Sequence, residues 1–91
     1  MEGAKIMFDF HAYQTQYNQL RRSIDSLPQE YSRDLRIMLL NMDQLILHLK
    51  CEEVRCRQKR RVTDDYTQIA EKIAQYKDQL EQQLVLACLM S

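Results

Sequence analysis

Apolar residues recur at alternating gaps of three and four along three stretches of this chain. Phe10, Tyr13, Tyr17, Leu20, Ile24 and Leu27 form the first set. Tyr31, Leu35, Met38, Met42, Leu45 and Leu49 form the second, and Val62, Tyr66, Ile69, Ile73, Tyr76 and Leu80 the third. An α-helix makes one turn in about 3.6 residues, so each set lines one side of a helix and must find another helix to cover it. The pattern predicts three helices, over about 9–25, 27–58 and 64–89, in one helical domain spanning residues 1–91. The expected fold is all-α: a small antiparallel helical hairpin or three-helix bundle with coiled-coil-like heptad packing.

The ends of these helices follow from capping chemistry. Asp9 is a suitable N-cap for the first, its carboxylate accepting from free backbone N–H groups. The run Ser26-Leu27-Pro28-Gln29 breaks the helical pattern, because proline lacks an N–H and clashes with the preceding turn. Ser26 and Gln29 have the spacing of a capping box for the second helix. So short a joint makes helices one and two antiparallel neighbours. A second turn is expected near Gln58 to Val62. Basic residues before it suit the negative end of helix two, and Thr63, Asp64 and Asp65 suit the positive end of helix three. No Gly or Pro enforces that turn. The competing arrangement is one continuous helix from about Pro28 to Leu89, buried in a dimeric coiled coil.

Helix two carries more apolar residues than one seam needs. Leu39 and Ile46 flank the seam, whereas Ile37, Leu40, Leu47, Cys51 and Val54 recur at threes, fours and sevens on roughly the opposite side. A helix with two apolar faces touches two neighbours. Helix three ends in Leu84, Val85, Leu86, Ala87, Cys88, Leu89 and Met90, apolar on all sides and expected to be covered. The residues expected to bind a partner are therefore Ile37, Leu40, Leu47, Val54, Leu84, Val85 and Leu89.

Composition supports the all-α reading. One Gly and one Pro in 91 residues leave few positions for the turns a sheet requires. A chain of this size buries only roughly 60–65% of its unfolded surface, so a partner or a second copy would add welcome stability. Thirteen basic and thirteen acidic side chains cancel, and no global field favours nucleic acid or an anionic membrane. The segment Met1 to Phe10 lacks the long apolar core of a signal peptide, and no stretch approaches the ~20 apolar residues of a membrane span. Cys51, Cys56 and Cys88 are an odd set without framework spacing, which points to thiols in a reducing, cytoplasmic compartment.

Local features with chemical potential each have a plainer reading. Arg55, Arg57, Lys59, Arg60 and Arg61 could grip phosphates, yet no stacking aromatics lie nearby and a solvated helix end accounts for the run. His48 and Cys51 share a helix face, but Cys56 diverges from them and no second ligand pair follows, so no metal is assigned. His11 and His48 are the only histidines, without a nucleophile elbow or phosphate loop, so no catalytic residue and no cofactor is assigned either. The end Cys88-Leu89-Met90-Ser91 fits the loose prenylation pattern, for which the end of an apolar helix is the simpler account. Tyr, Gln and Met along the seams suit exchangeable packing.

These readings lead to a non-enzymatic protein–protein interaction module: a small helical adaptor, chaperone or subunit that binds a protein partner, itself or both. In size and helical-hairpin character the chain is similar to the small chaperones of bacterial type III secretion needles, a likeness that no motif carries further. The rival expectation is a small dimeric nucleic-acid-binding regulator acting through the basic segment 55–61.

Overall fold

Three helices follow one another in the computed structural model, which describes residues 8–90. They are α1 (Phe10–Asp25), α2 (Gln29–Lys59) and α3 (Asp64–Met90). Residues 1–7, most of the segment Met1 to Phe10 discussed above, and the terminal Ser91 lie outside the described residues. No strand occurs among the described residues.

The helices start where the chain offers capping groups. The Asp9 carboxylate accepts from the Ala12 N–H at 2.9 Å. Thr63 Oγ1 accepts from the Tyr66 N–H at 3.1 Å, the same device at the start of α3. The proposed capping box before α2 does not form. Ser26 is the C-cap of α1 in the right-handed region, and its hydroxyl turns back to donate to the Ser23 carbonyl at 2.7 Å. Pro28 takes the N-cap place of α2 with φ −55 and ψ 148, without a side-chain cap. Its carbonyl accepts from the N–H groups of Tyr31 and Ser32. The helix thus begins at Gln29, two residues later than the pattern suggested.

A single continuous helix over α2 and α3 is excluded, because the chain reverses at Arg60. This residue is left-handed, with φ 57 and ψ 36, and closes the last turn of α2. The Arg60 N–H donates to the Arg57 carbonyl at 3.3 Å and the Arg61 N–H to the Cys56 carbonyl at 3.1 Å. This is the usual place of a glycine, since a Cβ crowds the left-handed backbone by roughly 1–2 kcal/mol. Arg60→Gly is therefore expected to raise stability by about 1 kcal/mol. Urea unfolding checks it, as a higher midpoint at an unchanged slope.

Two ladders with a spacing of seven build the hairpin core. Leu35, Met42, Leu49 and Cys56 on α2 are buried against Tyr66, Ile73, Leu80 and Ala87 on α3. A strict seven-residue repeat is the signature of helices that wrap with a left-handed twist. Tyr31, Met38, Leu45, Ile69 and Tyr76 line the rims, half-buried. α1 folds back along α2 and inserts Tyr13, Tyr17, Leu20 and Ile24 over the buried Leu39 and Ile46. Val62, expected on the third seam, lies in the turn and is exposed.

Tyrosine hydroxyls tie α1 to the hairpin. Tyr17 donates to Asp43 Oδ2 at 2.8 Å, and the Phe8 N–H donates to the Tyr66 hydroxyl at 2.6 Å. Tyr13 is buried, and among the described residues its hydroxyl meets no hydrogen-bond partner. Burial raises the titration of Tyr13, Tyr17 and Tyr66 above the ordinary phenol value, with the Asp43 carboxylate adding to the rise at the first two. The result is a rod of 49 × 18 × 15 Å. Its radius of gyration is 15.3 Å, against about 12 Å for a spherical domain of this length. A rod has more side surface for its volume than a sphere, and that surface is where the remaining apolar residues stand.

Candidate functional site

The side of α2 opposite its core seam is exposed. On it lie Ile37 (51% exposed), Leu40 (61%), Leu47 (61%) and Val54 (52%), with the exposed Cys51 between them. These positions continue a pattern of threes and fours that is complete from Arg33 to Gln58: Arg33, Ile37, Leu40, Gln44, Leu47, Cys51, Val54, Gln58. The helix therefore has two seams on opposite sides. One is covered by α1 and α3, and the other is covered by nothing in the chain's described part. Scattered exposed apolar residues are ordinary on protein surfaces, whereas a continuous stripe of them is not.

Polar groups rim this stripe. On one edge stand Asp34, Asn41, His48 and Arg55, all exposed. On the other stand Arg36, Asp43, Lys50 and Arg57. Arg36 is 3.3 Å from Asp25, and Arg57 is 3.1 Å from Glu53. The Lys50 ammonium sits 5.5 Å over the Phe10 ring. Along the first edge, and reaching the stripe itself at Gln44 and Leu47, a groove of about 610 Å³ runs between α2 and α3, lined on α3 by Lys72, Gln75 and Tyr76. Asn41 Nδ2 bridges its two walls by donating to the Tyr76 hydroxyl at 2.9 Å.

The end of α3 divides its apolar residues between inside and outside. Ala87 is buried, and Leu84, half-buried, packs against the core. Val85, Leu86, Leu89 and Met90 are exposed. A lower hollow at this end is lined by Tyr31, Met38, Leu86 and Met90. The structure thus leaves six of the seven residues singled out for binding on the surface, in two patches on different helices.

The basic segment is mixed with acids. Arg55 lies 3.6 Å from Glu52 and Arg57 pairs with Glu53. Lys59 and Arg61 share a hollow with Asp64 and Asp65. Such pairing consumes much of the field a phosphate backbone would feel. Cys51 and Cys56 diverge as their spacing required. The Cys56 thiol turns inward and lies 3.5 Å from the Thr63 backbone nitrogen, which donates to it.

One arrangement went unread in the sequence. Glu52 is buried at 8% exposure, and its Oε2 accepts from the Thr63 hydroxyl at 2.8 Å. That hydroxyl in turn accepts from the Tyr66 N–H, so one threonine closes the turn and caps α3. The signal was present: Glu52 falls on the core seam, three after Leu49 and four before Cys56. A carboxylate in that place needs a donor, and the nearest turn supplies it.

No protein-family model matches the chain, and no curated protein or solved structure is significantly similar to it. The fold defines a class, a three-helix bundle built on an antiparallel hairpin. None of the described helices is long and apolar enough to cross a membrane.

Proposed function

We propose that the protein is a non-enzymatic interaction module, a small adaptor, chaperone or subunit that works by presenting apolar helix faces to another protein chain. The observation that carries this reading is the uncovered seam on α2: Ile37, Leu40, Leu47 and Val54 stand in register on the side opposite the core. Val85 and Leu89 extend the apolar surface on α3. A helix face of this kind is matched by another amphipathic helix, with anchors at steps of three and four. The exposed Cys51 thiol fits a reducing, cytoplasmic setting. The nucleic-acid reading draws no support from the paired arginines at 55 and 57.

A photoreactive amino acid at position 40, introduced into the full chain in its host cells, tests the reading. Covalent adducts to a protein are expected there and are expected to be absent from position 68, on the polar face of α3. Equal labelling at both positions, or none at either, would remove the α2 face as the binding surface.

A further inference from the structure

The second seam of α2 has a built-in complement: itself, run in the opposite direction. Reversing the stripe onto a second copy places Ile37 opposite Val54 of that copy, Leu40 opposite Cys51, and Gln44 opposite Leu47. By symmetry the same three layers repeat on the other half. The polar ends, Arg33 and Gln58, then meet each other and bound the apolar run at both sides. All eight positions are used and no apolar residue of the stripe is left over.

The rims agree with the same register. In an antiparallel helix pair, residues on like edges face each other across the seam. On one edge Asp34 then faces Arg55 of the second copy, and Asn41 faces His48. On the other edge Asp43 faces Lys50, and Arg36 faces Arg57. The first three facing pairs are opposite in charge or matched as amide and imidazole. The fourth is like-charged, but both of its arginines are already neutralised within their own chain, by Asp25 at 3.3 Å and by Glu53 at 3.1 Å. The parallel alternative gives up the Asp34–Arg55 and Asp43–Lys50 pairings and sets Lys50 against Arg55 of the second copy, whose own-chain neighbour Glu52 lies 3.6 Å away. Rim charges select between orientations of this kind more than they set affinity.

We propose that two copies of this chain pair antiparallel through the outer face of α2, with Leu40 packed on Cys51 of the second copy. This deepens the interaction reading and rests on it: it names the occupant of the seam. The pairing buries a stripe about 26 Å long, from Ile37 to Val54, at the helical rise.

Disulfide trapping tests the register in the full-length chain. In the Cys88→Ser background, Leu40→Cys is expected to form a covalent dimer in more than half of the molecules under mild oxidation, through Cys51 of the second copy. Cys88→Ser without Leu40→Cys is expected to stay uncrosslinked, because the two Cys51 residues then lie about 16 Å apart along the axis, beyond disulfide reach. Adding Cys51→Ser to Leu40→Cys is expected to abolish the product. Light scattering of the unmodified chain should give twice its 11.0 kDa mass. A covalent dimer through Cys51 on its own would overturn the antiparallel register. A monomer at every concentration, with no Leu40→Cys product, would overturn self-pairing. The broader interaction reading would then survive only if the adduct at position 40 in cells carries a different protein, and it falls if no adduct forms.

Discussion

Leu49→Ala is expected to remove about 3–4 kcal/mol of folding stability, the largest loss among single truncations of α2. Leu49 is fully buried, at 0% exposure. It sits in the middle of the hairpin ladder, one heptad from Met42 and one from Cys56, in the same buried cluster as Ile73 of α3. Truncation removes three heavy atoms and leaves a cavity between two long helices. The ladder cannot close that gap without shifting a whole helix, so relaxation returns little. A domain of this length has on the order of 5–14 kcal/mol in hand. The loss is therefore a large share, and the melting temperature should drop by more than about 12 °C. Circular dichroism against temperature and urea measures it. Leu40→Ala is the control, the same side chain on the same helix at 61% exposure, and should cost less than about 1 kcal/mol in dilute protein. Dilution matters because association through Leu40 would add stability by mass action. Equal losses at positions 40 and 49 would show that the core is not where these ladders put it.

Much of this architecture could be read from periodicity. The seams at threes and fours placed all three helices, and the opposite apolar side of α2 was visible as a second set out of phase with the first. Physical reasons separate what was legible from what was not. Asp9 and Thr63 announce helix starts because their side-chain oxygens accept from free N–H groups of the first turn. Ser26 misled because a serine at a helix end can turn either way. Its hydroxyl found the Ser23 carbonyl behind it before it could cap the helix ahead. Arg60 gave no warning of the reversal, since a left-handed arginine is held by the surrounding turn and not by its own preference. At the end of α3 the apolar run was continuous, so periodicity could not say that Leu84 and Ala87 turn inward while Val85 and Leu89 turn out. The neighbour decides that, and α2 reaches only one side. The candidate site is legible for a related reason: an apolar position that no partner within the chain can cover stays out of phase with every seam that is covered.

Leu40→Asp is expected to leave the helices intact and abolish association. The side chain is 61% exposed on the free face, so a carboxylate there stays in water while the chain is a lone copy. Helix propensity falls only by a few tenths of a kcal/mol, and far-ultraviolet ellipticity should be unchanged. Pairing changes the balance. A helix laid on the seam would bury the new charge among apolar residues, beside Leu47 and Ile37, while Arg33, the one cation on that line, stands about two helical turns away. The desolvation is uncompensated, and loss of the Leu40 contact adds to it. Affinity should drop at least 100-fold, which corresponds to about 2.7 kcal/mol or more. Sedimentation of Leu40→Asp beside the unmodified chain reads this directly, as a single-copy mass at concentrations where the parent associates. Leu89→Asp provides the counter-test, because it carries the same charge change on the other exposed patch. If α2 presents the working surface, Leu89→Asp leaves that association in place. Should Leu89→Asp disrupt it and Leu40→Asp spare it, the end of α3 is the surface that binds, and the outer seam of α2 is bystander to it.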